Sequence, residues 1–357
     1  MKYLFCFALI IATTFCAIAK PLKHKELTFF TADNPNIKYV GRVDFANKLA
    51  PRFWNPGVYV QAKFKGPSLE ITVNDETLYG VTHNYLEIAI DNNAPVRIQT
   101  TGKVSHLLVA DGLSSGSHTV TICKDTESGI GYVEFVGMKC EELLPVHQPK
   151  RKIEFIGDSI TCGTSMDQSV VKCDKGNWYD QHNAYMSYGP STARILNAQW
   201  QITAESGIGL IHSCCNKTIV MPQVYDKVNI RADSLPWNFS NYIPDVVTIC
   251  LGQNDGKQDS VAFCSAYVSF IKQIRSHYPD ADIVCLNSPM GNAELTAMLK
   301  NYITSIEAYM HQSGDKKITH FFFAGGYNNG CGTHPDMAQH QLIAQQLSGY
   351  LKGLEGW

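Results

Sequence analysis

Lys152-Ile153-Glu154-Phe155-Ile156-Gly157-Asp158-Ser159-Ile160 is the stretch that decides the fold. Its first five residues read as a short strand. The small polar residues that follow break the strand and lead into a turn. Similar apolar runs recur downstream. Trp200 to Ala204 and Asp282 to Leu286 are strand candidates, and Ile318 to Ala324 is strand-like. Asp245 to Leu251 is nearly continuous in apolar residues, as expected of a strand buried on both faces. Helical stretches lie around these runs, over 185–196, 261–277, 292–312 and 337–351. Such alternation predicts an α/β domain over residues 151–357, a three-layer α/β/α arrangement with a parallel sheet.

Upstream the period changes. Val58 to Phe64, Leu69 to Val73 and Tyr85 to Ile90 alternate apolar and polar with period two. Further strand candidates are 96–99, 104–109, 118–123 and 132–138. Turn-forming clusters separate them, among them Gly66-Pro67-Ser68 and Asp91-Asn92-Asn93. Many short strands at close spacing predict a β-sandwich over residues 20–142. Residues 143–150 contain Pro145 and Pro149, break both periods and read as a linker.

The 357 residues exceed one average domain, which agrees with two. A net charge of -2 gives no general attraction to nucleic acid or anionic membranes. Residues 1–19 read as a signal peptide. Lys2 supplies the positive region, Tyr3 to Ile11 the apolar run, and Ala17-Ile18-Ala19 the small-residue cleavage site. A secreted or periplasmic protein is the expectation, with no segment after the signal long and apolar enough to span a membrane. Twelve cysteines are present, ten of them after the signal, and export makes disulfides plausible. Cys123 with Cys140 and Cys162 with Cys173 are the local pairs to test first. The neighbours Cys214 and Cys215 are expected to bond elsewhere or stay free, because adjacent cysteines bond each other only with strain. No cysteine or histidine spacing supports zinc.

Three small-residue motifs end strands, where functional crevices of open α/β sheets lie. Gly157-Asp158-Ser159-Ile160 offers a serine nucleophile at a strand-to-helix turn. Ser206-Gly207-Ile208-Gly209 follows Trp200 to Ala204, and glycine there lets a substrate approach the backbone. Gly252-Gln253-Asn254-Asp255 offers a carboxamide donor. Together they provide one nucleophile and three oxyanion donors: the N–H groups of Ser159 and Gly207, and Asn254. Acyl transfer needs that set. A serine also needs a base. His334, in Gly332-Thr333-His334-Pro335 just before the last helix, is the best placed of the twelve histidines.

In that order, Ser159, Gly207, Asn254 and His334 resemble the signature of the SGNH (GDSL-type) hydrolase superfamily. Ile156 to Gly163, Ser187-Tyr188-Gly189 and Thr192-Ala193-Arg194 are similar to carbohydrate esterase family 2. So are Tyr39 to Phe45 and Pro51-Arg52-Phe53 near the N-terminus. The resemblance implies an N-terminal β-sandwich (jelly roll) joined to an SGNH hydrolase domain. It also implies an acetyl esterase acting on polysaccharides such as xylan or glucomannan, with an acetylated carbohydrate as partner and no metal or organic cofactor.

The sequence departs from the superfamily where an Asp usually precedes the histidine. Cys331 and Gly332 stand there instead. A backbone carbonyl of one of them is the expected partner of the His334 Nδ1–H. Asp336 is the second candidate for that partner and Asp158 the third, but Asp336 is expected to serve the following helix, and Asp158 to brace the turn. Trp178, Tyr179, Trp237 and Tyr327 are candidates for a sugar-stacking platform, against the commoner role of aromatics in a core. Asn216-Lys217-Thr218 and Asn238-Phe239-Ser240 are glycosylation sequons. The missing acid keeps open a carbohydrate-binding protein with weak or lost catalysis. A GDSL-type lipase, or an esterase acting on another acylated substrate, is the third reading.

Overall fold

The computed structural model describes residues 26–357, so the expected signal peptide lies outside the described residues. The α/β half is built on five strands in the spatial order Ala198–Ala204, Arg151–Gly157, Val246–Cys250, Asp282–Leu286 and Ile318–Phe321. All four pairings are parallel. Every residue of Val246–Cys250 is buried, which explains its nearly continuous apolar run.

Two cores flank the sheet, one on each face. Ile153 and Phe155 pack with Tyr188, Ile343, Leu347 and Leu351 of helices Tyr188–Ile195 and Met337–Glu355. Ile156, Val247 and Ile249 pack with Phe263, Tyr267, Leu299 and Ile303 of helices Ser260–His277 and Ala293–Gln312. The period-two pleat of each strand sends neighbouring side chains to opposite faces, which produces the three layers. Side-chain caps fix three helix starts. Asp259 accepts from the Ala262 N–H, Asn292 from the Leu295 N–H, and Asp336 from the Gln339 N–H in a reciprocal capping box.

Chain order reverses on either side of Arg151–Gly157, because the second strand lies to one side and the third to the other. The crevice of such a sheet opens at the carboxyl end of that strand. Ser159 stands there.

The N-terminal half is two antiparallel sheets. One runs Thr28–Thr31, Val133–Cys140, Leu69–Asp75, Val104–Ala110, with Arg52–Phe53 paired to Val133–Cys140. The other runs Glu142–Leu144, Tyr59–Lys65, Ser117–Lys124, Tyr85–Ile90, Val96–Gln99, with Lys38–Val40 paired to Tyr59–Lys65. Inward residues such as Val60, Phe64, Ile71, Val73, Ile88 and Phe135 form their shared core. The short strands 28–31, 38–40, 52–53 and 142–144 carry too few residues to show a period. The last of them extends the second sheet into the start of the expected linker.

The two halves are welded together. Trp200 donates its indole N–H to the Gly57 carbonyl (2.9 Å). Arg97 of the sandwich donates to the carbonyls of Asp180 (2.7 Å) and His182 (2.5 Å).

The cysteine pairing departs from expectation. Cys173 bonds Cys331, with Cα atoms 5.3 Å apart, and Cys214 bonds Cys215. Cys123 and Cys140 are buried free thiols because they face different cores, Cys123 the one it shares with Tyr59 and Trp200, Cys140 the sandwich core. Cys162 is likewise free, enclosed in the α/β core, so its expected partner Cys173 pairs with the histidine loop instead. At Cys214-Cys215 the chain turns through left-handed backbone at Cys215 (φ 63°) and Asn216 (φ 61°), where the two sulfurs meet.

Candidate active site

The nucleophile turn is shaped by a glycine that tolerates no side chain. A Cβ on Gly157 would fall 2.0 Å from Thr161 Oγ1. Asp158 caps the one-turn helix Ser159–Cys162 by accepting from the Ile160 N–H (3.1 Å), which braces the turn as expected. Ser159 therefore is not the cap but the first helical residue, 7% exposed. Burial raises the Asp158 carboxyl to about 7, and the neighbouring Asp255 charge adds to that.

His334 reaches this serine from the far end of the chain. Its Nε2 lies 3.0 Å from Ser159 Oγ. Its Nδ1 faces the Cys331 carbonyl at 3.3 Å, in agreement with the expected backbone partner. The loop is held from three sides. The Cys331 N–H donates to the Ser165 carbonyl (2.9 Å), the Cys331 sulfur bonds Cys173, and the Gly330 N–H donates to the His334 carbonyl (2.6 Å). Left-handed backbone at Gly332 (φ 57°) and Thr333 (φ 61°) folds the Cys331 carbonyl back under the ring. Asp336 caps the last helix instead of meeting the ring. Burial lowers the His334 pKa, and the Cys331 carbonyl offsets part of that.

Gly207 and Asn254 line the same cleft as Ser159 and His334, a cavity of about 610 Å³. Gly207 is left-handed (φ 80°), and a Cβ there would approach Cys214 Sγ to 3.0 Å and Lys217 Cε to 3.1 Å. The Asn254 carboxamide nitrogen donates to the Ile208 carbonyl (2.9 Å) and to Asp158 Oδ2 (3.2 Å).

Of the four aromatic candidates only Trp178 reaches the cleft, where it is 56% exposed. Tyr179 is buried edge-on to His83. Trp237 is buried beneath the Arg42 guanidinium at the domain junction. Tyr327 is buried and accepts from Gln346 of the last helix (2.5 Å). These three are core or junction residues, the usual place for an aromatic.

Sequence reasoning missed Glu127, a buried carboxylate of the sandwich that lines the cleft. It accepts from the Ser206 N–H (2.8 Å), the Ser206 hydroxyl (2.6 Å) and His182 Nε2 (2.8 Å). Thr164 Oγ1 stands 3.2 Å from it. Burial alone would raise this carboxyl, but His182 and the Ser206 donors hold it down at about 2. It follows a sandwich strand and belongs to no motif, so no local signal marks it.

Residues 39–149 match the family Carbohydrate esterase 2 N-terminal, and residues 155–342 match the GDSL-like Lipase/Acylhydrolase family. A solved family two carbohydrate esterase from Clostridium thermocellum, in complex with cellohexaose, superposes with a TM-score of 0.80. It is 32% identical, over 90% of this chain and 99% of that one. The chain belongs to the family two carbohydrate esterases. It is a carboxylic ester hydrolase with a GDSL-type domain. A family two carbohydrate esterase from Cellvibrio japonicus gives a TM-score of 0.83 at 25% identity, over 93% of this chain and 98% of that one. Among curated relatives, the cellulase/esterase CelE of Acetivibrio thermocellus is 34% identical over 91% of this chain. The chain spans only 40% of that protein's length. An acetylxylan esterase / glucomannan deacetylase of Cellvibrio japonicus is 29% identical over 84% of this chain and 85% of that one.

Proposed function

We propose that this chain is an exported esterase that removes acetyl groups from O-acetylated polysaccharide or oligosaccharide through a Ser159–His334 dyad. The observation that carries the reading is the 3.0 Å contact between His334 Nε2 and Ser159 Oγ, inside a cleft that also holds Gly207 and Asn254. In the first step His334 takes the Ser159 proton at Nε2 while Oγ attacks the acetyl carbonyl carbon. The oxyanion accepts from the N–H groups of Ser159 and Gly207 and from the Asn254 carboxamide, which gives up its longer bond, to Asp158. The sugar alcohol leaves with the proton from His334. Water then loses a proton to His334 and attacks the acetyl-serine, and acetate departs as Ser159 recovers its proton.

The Cys331 carbonyl does the orienting that an Asp does in a triad. It fixes the tautomer with Nδ1 protonated, while offering less stabilisation of the imidazolium. Two relatives named for acetylxylan and glucomannan, and a solved one bound to cellohexaose, support a β-linked glycan as substrate. The half-exposed Trp178 supplies a flat face for a sugar ring at the cleft. A ready serine–histidine contact favours catalysis over binding alone.

Acetate release from acetylated xylan, glucomannan and p-nitrophenyl acetate tests the reading, against Ser159→Ala and His334→Ala. Turnover is expected to fall by roughly 10³-fold or more in either variant. Activity in Ser159→Ala equal to the unaltered chain would end the serine-esterase reading.

A further inference from the structure

We propose that Glu127, contributed by the β-sandwich, is a positioning residue for ester hydrolysis that holds the oxyanion turn and the Trp178 loop in register with Ser159. The inference rests on the esterase reading above and extends it to the domain that carries none of the reacting groups.

The contacts of Glu127 join three separate segments of the hydrolase domain. The first is the turn after strand Ala198–Ala204, gripped through both the N–H and the hydroxyl of Ser206. Gly207, whose N–H faces the oxyanion in the proposed reaction, is the next residue. The second is the segment after the nucleophile. Thr164 Oγ1 stands 3.2 Å from Glu127 Oε1, and the Thr164 N–H donates to the Ser159 carbonyl (3.0 Å). The third is the platform loop, held through His182 Nε2 (2.8 Å). The His182 ring packs edge-on against Trp178, with centroids 4.7 Å apart at 75°.

Glu127 lines the cleft, yet it has little left to offer a substrate. An ionised carboxylate accepts at about four lone-pair positions. The Ser206 hydroxyl, His182 Nε2 and Thr164 Oγ1 crowd Oε1, and the Ser206 N–H takes one of the two positions on Oε2, which leaves a single acceptor position there. Its contribution is therefore geometric. Small displacements of an oxyanion donor cost rate, because such a donor acts at a fixed distance from the charge that develops.

The sandwich builds the mount for this carboxylate. Lys124, fully buried, donates to the carbonyls of Thr126 (2.6 Å) and Glu127 (3.3 Å) and so fixes the loop from which Glu127 projects. Arg97 pins the platform loop from the same side. A cleft whose two walls meet at one sandwich carboxylate makes the sandwich part of the catalytic unit.

The experiment measures acetate release by the full chain, Glu127→Gln, Ser206→Ala and Ser159→Ala. Competent serines are counted by stoichiometric phosphonylation, and folding is followed by thermal unfolding. Glutamine keeps the shape but places an N–H where Ser206 or His182 already points one. The kcat per labelled serine is expected to fall about tenfold or more in Glu127→Gln, with KM for p-nitrophenyl acetate within about threefold of the unaltered chain. Ser206→Ala removes one donor and keeps the backbone bond, so its kcat is expected to fall about threefold. A Glu127→Gln kcat per labelled serine within threefold of the unaltered chain overturns the proposal. If that variant does not fold, Ser206→Ala decides, and an unchanged kcat there overturns it. An unaltered chain no more active than Ser159→Ala would instead sink the esterase reading itself, and Glu127 with it.

Discussion

Arg42 of the sandwich and Glu154 of the strand Arg151–Gly157 form an ion pair at 3.2 Å, and both side chains are fully buried. The guanidinium also donates to the carbonyls of Tyr225 (2.5 Å) and Lys227 (2.7 Å) and lies over the rings of Tyr225 and Trp237. Glu154 in turn accepts from Gln201 (3.0 Å), Thr203 (2.6 Å) and Tyr225 (3.1 Å). Planar, forked donors suit such a site better than a lysine ammonium. The pair sits where the sandwich meets the edge of the hydrolase sheet, so its loss is felt by both halves.

Arg42→Ala is expected to destabilise the folded chain by about 3–5 kcal/mol, because it strands the Glu154 charge and two carbonyls in the interior. Arg42→Lys should recover only part of that. Denaturant unfolding followed by fluorescence measures it. A change below about 1 kcal/mol in Arg42→Ala would mean that water reaches Glu154 freely.

The pH dependence follows from His334. Hydrolysis needs its neutral form, and burial lowers its pKa, so the ring stays neutral to lower pH than a free imidazole. The acid limb of kcat/KM, which reports the free enzyme, is therefore expected below about pH 6.5. Asp158, raised to about 7, is the rival source of that limb. Asp158→Asn should lower the plateau and leave the midpoint where it is. A midpoint near 7 that vanishes in Asp158→Asn would assign the limb to the carboxyl.

The Cys173–Cys331 bond tethers the residue whose carbonyl orients the catalytic histidine. Cys173→Ser with Cys331→Ser is expected to cost about 2–4 kcal/mol of stability. It should also lower kcat severalfold, because the Cys331 carbonyl gains freedom. A reductant should reproduce the loss in the unaltered chain, and any further loss in the double variant reports the Cys214–Cys215 bond beside Gly207. Full activity of that variant at a temperature where it stays folded would show that hydrogen bonds alone hold the loop.

Trp178→Ala separates the platform from the chemistry. KM for an acetylated oligosaccharide is expected to rise on the order of fivefold, from about 1 kcal/mol of lost ring contact. The kcat on p-nitrophenyl acetate should change less than about twofold, since that ester does not need the platform. Equal KM values for the oligosaccharide would move the sugar-binding surface elsewhere in the cleft.

The sequence alone determined the class of fold, the order of its two halves and four residues of the candidate site. The reason is that strand and helix periods, and the small residues that end strands, are local consequences of burial and backbone sterics. A backbone partner for His334 was legible too, because the usual acid is missing two or three residues before it, but the choice of Cys331 over Gly332 waited for the loop to fold. Tertiary structure decided what depends on distant segments meeting. It paired Cys173 with Cys331 across 158 residues, sent Tyr179, Trp237 and Tyr327 into the interior, and brought Glu127 to the cleft from another domain. A carboxylate on a sandwich loop carries no local mark of its partners. Its role arises only when His182, Thr164 and Ser206 fold around it, and that packing is a property of the whole chain.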